Sequence, residues 1–454
     1  MITSPIQPVN TGSIVRNALF RYFAELRTIA RSVATQRSEQ PVAPLELSTA
    51  ATCFAEFADV SDIGLLAAEP RTYILDLMRN PGARTTKTMA SLLMVARAAE
   101  HIRTTGERLL VLTPTSGNKG TALRDAVARA YRTGLVTPDG LRMVTLVPEV
   151  SRGKLRHSPL DEDKGLCAAN PVAVARVEQA AHVKQLSSAV VEHHAAEIRR
   201  TTGFRLWYTL DLDNYRIADA ARAFAEAELL PITEESRPRV HVHAVSSAFG
   251  LLGYHLGHRF LTAGLSGLPV PARHPGFFLV QQLATPDMVT SLLDRAVPDY
   301  CFDARLGAWC QQGAPGFPAT TDDPREVIDA TFYTKAPPTS AQINGIIERH
   351  GGGGVVVSKR ECLERFDRIR ELAARAGIAI CTDPAQIREW ALVMALAGVL
   401  VGRERGLLDA DTDVVVHASG YYTDDVLPPM RTEHLVHTDT VDDLARVVVA
   451  AAHA

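Results

Sequence analysis

From about Arg71 onward, short apolar runs alternate with longer stretches of helical periodicity, and nothing else in the sequence restricts the fold as tightly. A strand that is followed by a helix before the next strand returns parallel to its neighbour, so the pattern specifies strand-helix-strand units, a mostly parallel sheet and an α/β fold. Strands are expected at 108–112, 142–147, 240–245, 277–281, 355–357, 378–380 and 414–416. Between them, 88–103 places Met89, Leu92, Leu93, Ala96 and Ala99 on one helical face, and 121–132 does the same before stopping at Gly134. Ser358 with Glu361 is a capping box that opens a helix running to Ala376. The stretches 159–170 and 307–337 read as loops, and 351–354 as a flexible lead into the next strand. Ahead of all this, 14–33 reads as one amphipathic helix followed by a polar, proline-containing link over 36–44, an N-terminal helical extension.

Length and charge narrow the function. A chain of 454 residues is expected to form two domains, or one large domain with a smaller one inserted. With 51 acidic against 48 basic side chains, the net charge of −3 excludes a generic polyanion binder, so no nucleic-acid partner is expected. The longest apolar stretches, such as 391–401, fall short of the roughly 20 residues a membrane span needs. Residues 1–13 lack the basic start and apolar core of a signal peptide, and a cytoplasmic protein is expected. The six cysteines form no CxxC pair and read as reduced thiols. His241 and His243 share one strand face, but no third ligand accompanies them and no HExxH occurs, so no metal site is expected. The pairs His193-His194 and His255, His258 read as surface or packing residues. Tyr421 and Tyr422 read either as lining a site or as core.

Four segments carry chemistry. Thr113-Pro114-Thr115-Ser116-Gly117-Asn118-Lys119-Gly120 lies between a strand and a helix, where free backbone N–H groups and a positive dipole end meet an anion; as a bare pattern it is equally a capped turn. Asn80-Pro81-Gly82-Ala83-Arg84-Thr85-Thr86-Lys87 puts a lysine at the mouth of an apolar helix. Of the seven lysines this one best combines a loop before it with a buried helix after it; it is either a solvated N-terminal lysine or a desolvated, imine-forming amine. Ser246-Ser247-Ala248-Phe249-Gly250 follows an apolar strand and precedes a helix, so its small residues either cup a phosphate or make a tight turn. His417-Ala418-Ser419-Gly420 ends another strand, the position where open parallel sheets place ligands.

In this order the four segments resemble the fold type II pyridoxal-phosphate enzymes, most closely threonine synthase-like proteins, with similarity also to cysteine synthase and the tryptophan synthase β chain. Leu146-Val147-Pro148-Glu149, Gly153-Lys154-Leu155 and Asp213-Asn214-Tyr215-Arg216 add to the resemblance, which spans about 76–425. It implies two three-layer αβα domains with mostly parallel sheets: a smaller one at 88–210 carrying the Ser-Gly-Asn loop, and a larger one at 45–87 and 211–454, with 1–44 as the N-terminal extension. It implies that Lys87 carries pyridoxal 5'-phosphate as a Schiff base and that Asn118 bonds the ring hydroxyl oxygen. Ser246, Ser247, Ala248, Phe249 and Gly250 would cup the cofactor phosphate, although Ala248 and Phe249 stand where the family has glycine. Ser419 would face the pyridine nitrogen. Thr115, Ser116 and Gly117 would hold the α-carboxylate of an amino-acid substrate, and Lys154 and Arg216 would flank it and bind a phosphate if it carries one. The expected reaction is elimination or replacement at the β or γ carbon, by a cytoplasmic homodimer. A β-replacement or deaminating enzyme of a specialised pathway, or a non-catalytic binding protein, would share the same fold.

Overall fold

The computed structural model describes residues 13–36, 51–179, 182–208 and 213–454. Most of the polar link expected over 36–44 therefore lies outside the described residues. Two sheets organise the chain. The larger has seven strands in the order Ser13–Val15, Ile63–Glu69, Thr72–Asp76, Asp413–Ala418, Arg239–Ala244, Gly276–Gln282 and Gly352–Val357; its first two pairings are antiparallel and the rest parallel. The smaller has five strands, all parallel, in the order Leu435–His437, Val172–Ala175, Leu141–Pro148, Arg108–Pro114 and Phe204–Tyr208. Central parallel strands are covered on both faces, so they read as unbroken apolar runs. Leu141–Pro148 is buried at every residue.

The alternation of runs and periodicities thus produces the mostly parallel α/β architecture, with local differences. Ile14 and Val15, expected in a helix, instead pair with Gly64 and Ile63 as an edge strand, and helices follow at Ala18–Arg21 and Phe23–Gln36. Leu19, Tyr22, Leu26 and Ile29 are buried in the main core, so this segment is built into the larger sheet rather than appended to it. The glycines at 352–354 belong to a strand and are not a loose lead. Gly352 sits at φ +120°, and a Cβ there would come within 1.9 Å of the Phe277 carbonyl oxygen, so glycine permits the strand to start this close to its neighbour. Residues 378–380 form no strand, because the Ile378 N–H returns to the Ala373 carbonyl at 2.8 Å and closes the preceding helix at Gly377. The stretch 159–170 contains a helix, Lys164–Ala169, capped by the Asp163 carboxylate. Among the described residues the six cysteines are unpaired and no helix is long and apolar enough to cross a membrane.

We propose retaining the division into 88–210 and 45–87 with 211–454, modified in two respects, the first being that 13–36 joins the larger unit. The strand Leu435–His437 pairs with Val172–Ala175, and the helix Val441–His453 buries Leu444, Ala445 and Val448 in one apolar core with Leu110, Val144 and Ala173 of the small sheet, so the C-terminal segment goes with the smaller unit.

Candidate active site

All four segments singled out in the sequence fall beyond the carboxyl ends of parallel strands: Lys87 after Thr72–Asp76, Ser116 after Arg108–Pro114, Ser246 after Arg239–Ala244 and Ser419 after Asp413–Ala418. That is the edge where such sheets bind ligands.

Lys87 opens the helix Lys87–Thr105, which is buried from Thr88 to Glu100. The loop before it is pinned twice. Asn80 donates to Asp125 at 2.8 Å, and Thr86 N–H donates to the Ser419 carbonyl at 2.9 Å beside an antiparallel bridge between Thr85 and Gly420. This lays the residue preceding the lysine against the strand end that carries Ser419. The Lys87 ammonium group makes no hydrogen bond or ion pair among the described residues; its Nζ lies 5.3 Å from the centre of the Tyr215 ring. Burial holds its pKa below the ordinary lysine value, with the Arg222 guanidinium adding to the shift and Asp219 and Glu389 opposing it. The amine is therefore poised toward its neutral, nucleophilic form.

In the Ser-Gly-Asn turn, the Thr115 hydroxyl oxygen accepts the N–H groups of Gly117 and Gly120 at 3.0 and 3.1 Å. Gly117 has φ +125°, and a Cβ there would lie 2.4 Å from the Lys154 Cβ. Ser116 is partly exposed. Asn118 donates to Glu389 Oε2 at 2.6 Å and accepts from the Tyr422 hydroxyl at 2.8 Å. Glu389 is shared with Lys154 at 3.1 Å, and Lys154 also pairs with Asp329 at 2.6 Å. Burial and Asp329 raise the Glu389 pKa, and although burial disfavours the Lys154 cation, Glu389 and Asp329 hold it above its ordinary value. Lys119, next along, is half-buried, and desolvation pushes its pKa down to about 7, with Lys184 and Lys87 adding repulsion.

The turn after Arg239–Ala244 runs through Ala248 in the left-handed region at φ 51°, and Phe249 starts the helix Phe249–Thr262. Ser246 donates to Thr334 at 3.1 Å and the Ser247 carbonyl accepts from Thr339 at 2.7 Å. The first N–H groups of a helix have no intrahelical partner, so 248–250 offer donors to an anion. A Cβ at Gly250 would lie 2.5 Å from Arg222 Nη1.

Arg222, which the sequence reading missed, ties this floor together. It donates to Asp219 at 2.7 and 3.0 Å, to Thr86 Oγ1 at 2.5 Å, to His417 Nδ1 at 3.0 Å and to His243 Nε2 at 3.2 Å. With its five N–H groups so used, its role is to orient. His417 Nε2 reaches His241 Nδ1 at 2.7 Å, and the other His241 nitrogen lies 3.2 Å from Glu226. Accepting from an arginine requires neutral imidazoles, and burial followed by the guanidinium holds His243 down at about 3; burial and its two histidine neighbours lower His417 as well. His241 and His243 are thus core hydrogen-bonding residues, and no metal-holding group occurs among the described residues. Arg216 is 30% exposed with Asp213 3.7 Å away. Lys154, by contrast, is paired with two carboxylates, Asp329 and Glu389, and also donates to the Arg388 carbonyl. Glu389, Tyr422, Arg222 and Lys119 complete the site. Of these, Tyr422 drew notice in the sequence and Lys119 lies inside the Ser-Gly-Asn segment without a role assigned to it, whereas Glu389 and Arg222 sit in segments with no local motif.

The profile of a family described as "Family of unknown function (DUF6002)" matches residues 14–452. Comparison with curated proteins finds no match. Among solved structures, PLP-bound threonine synthase from Brucella melitensis is similar with a TM-score of 0.52 at 13% identity, over 94% of this chain and 89% of that one. Threonine synthase from Escherichia coli gives 0.50 at 16%, over 84% and 79%. A pyridoxal 5'-phosphate-dependent aspartate racemase gives 0.50 at 12%, over 84% and 99%. The chain has the fold of the fold type II pyridoxal-phosphate enzymes, as the resemblance implied.

Proposed function

The chain belongs to the DUF6002 family, and we propose that it is a pyridoxal 5'-phosphate-dependent enzyme acting on a small amino acid by elimination or replacement at the β or γ carbon. The observation that carries this reading is Lys87: a half-buried lysine whose amine has a pKa lowered by desolvation, without a hydrogen-bond partner among the described residues, fixed by Thr86 against the strand end of Ser419. The surroundings fit the cofactor. A helix-opening turn at 246–250 offers backbone donors to a phosphate, and Asn118 presents a side-chain amide beside a hydroxyl-bearing Tyr422. Bound there, the cofactor supplies the electron sink. The chain's own residues supply the rest. Lys87 takes and returns the α-proton at Nζ, the amides opened by Gly117 orient the substrate carboxylate, and Glu389 holds Asn118 in place. Ser419, at its strand end, would offer the ring nitrogen a neutral hydroxyl rather than a carboxylate, a setting that would favour early loss of a leaving group over amino-group transfer. The substrate class carried from the resemblance includes phosphorylated amino acids, for which the partly exposed Arg216 is the better placed cation, since Asp329 and Glu389 already neutralise Lys154.

The test is a turnover screen of O-phosphohomoserine, O-phosphoserine, O-acetylserine, serine and threonine, reading phosphate, acetate, ammonia and keto acid, with Lys87→Ala as control. Release of one product by the wild type and none by Lys87→Ala is expected. Equal product from both would overturn the reading, and a folded, cofactor-loaded protein inactive on all five would favour the binding-protein alternative.

A further inference from the structure

The helix Phe249–Thr262 begins at the proposed phosphate turn, and its later turns line a pocket of about 500 Å³ with residues of the helix Ser340–His350 and the segment before Gly276. At 1.5 Å per residue, Arg259 lies about 15 Å along the helix from Phe249, so this pocket is separate from Lys87. His255, His258, His274 and His350 converge there between Arg259 and Arg349, and no aspartate or glutamate lines it.

The hydrogen bonds fix which nitrogens carry protons. His274 Nδ1 donates to the Pro275 carbonyl at 2.6 Å, so its Nε2 accepts from His255 Nδ1 at 2.8 Å. His258 Nε2 donates to the Arg273 carbonyl at 3.1 Å, and the His274 ring stacks on His350 with centroids 4.1 Å apart. Such bare nitrogens would suit a metal ion, but two guanidinium groups repel a cation and no set of three side chains among the described residues has metal-holding geometry. The charge in the pocket is that of the arginines. Arg349 Nε donates to the Gly345 carbonyl of its own helix, and neither Arg259 nor Arg349 has a carboxylate partner among the described residues.

We propose that this pocket binds a small, multiply charged oxyanion between Arg259 and Arg349, with the histidine cluster as its floor. Guanidinium groups recognise such anions through paired N–H donors. The floor also sets a pH dependence. Burial, then Arg259 and the neighbouring histidines, keep His255 down at about 4; burial and His258 keep His274 near 2. The charged or titratable groups facing the cluster are Arg259 on its own helix, Arg349 and His350 opposite, Arg273 through its carbonyl, and Tyr254 beneath with the buried Glu226. An anion stabilises protonated imidazole, so binding takes up protons and tightens as pH falls.

Calorimetry on the full chain with sulfate, which stays dianionic, at about pH 6 and about pH 4.5, the range just above the His255 value, tests this. Tighter binding at the lower pH is expected, with a loss of roughly tenfold or more in Arg259→Gln. The surface substitution Thr262→Trp, filling the pocket from its exposed rim, should also abolish it, which covers the case of a misfolded arginine variant. Inorganic phosphate against malonate then separates a tetrahedral oxyanion from a polycarboxylate; preference for either supports the site. Absence of sulfate binding, or undiminished affinity in either variant, would overturn the proposal.

Discussion

Asn118 has both ends of its amide committed, to Glu389 and to Tyr422. Removing it leaves a buried carboxylate short of a donor and a buried hydroxyl short of an acceptor. Asn118→Ala should therefore cost about 1–3 kcal/mol in chemical denaturation, as well as weakening cofactor capture. A variant of wild-type stability would show that these two bonds are not made. Arg222 is more exacting, because its removal strands Asp219 in the core without its cation, and Arg222→Met should cost about 3–5 kcal/mol. Lysine cannot reproduce five N–H groups in one plane, so Arg222→Lys should recover little of that loss. Arg216→Ala makes a kinetic prediction: KM rises for a phosphorylated amino acid far more than for an acetylated or free one, and equal losses on all substrates would remove the phosphate-binding role.

Each segment that the sequence exposed is an element junction whose residues act locally: the lysine at a helix mouth, the Thr115 hydroxyl stapling its own turn, Ser419 closing a strand. What stayed hidden joins distant segments. Asn118 meets Glu389 across 271 residues and Arg222 meets His417 across 195, and no spacing in the chain announces either contact. Composition also misled where backbone bonding decided the outcome. Residues 378–380 have strand-forming side chains but complete the end of a helix, while 352–354 look loose but pair residue by residue with 277–279. The glycine run supplies an internal comparison. Gly352→Ala should cost at least about 3 kcal/mol, because a Cβ there overlaps a neighbouring carbonyl, whereas Gly353→Ala, with 3.5 Å to the Phe278 ring, should cost less than about 1 kcal/mol. Similar thermal midpoints for the two variants would contradict the strand assignment.

Across the whole molecule, the two sheets present their carboxyl edges to one site floored by buried neutral imidazoles, and the floor makes stability pH-dependent. His243 titrates at about 3 when folded and near 6.5 when unfolded, so between these values the unfolded chain binds more protons and stability rises with pH. Its contribution is complete above about pH 6.5 and is lost as pH falls toward about 3. Wild-type melting temperature should drop through that window and His243→Gln should flatten part of the drop; parallel profiles would place His243 outside the buried network. The fold, the desolvated amine and the strand-end serine together rest on one assignment, the lysine that bears the cofactor. Borohydride reduction of the protein loaded with pyridoxal 5'-phosphate, followed by peptide mapping, should recover the pyridoxyl group on Lys87. Recovery on Lys119 or Lys154, or no stable adduct at all, would contradict the account.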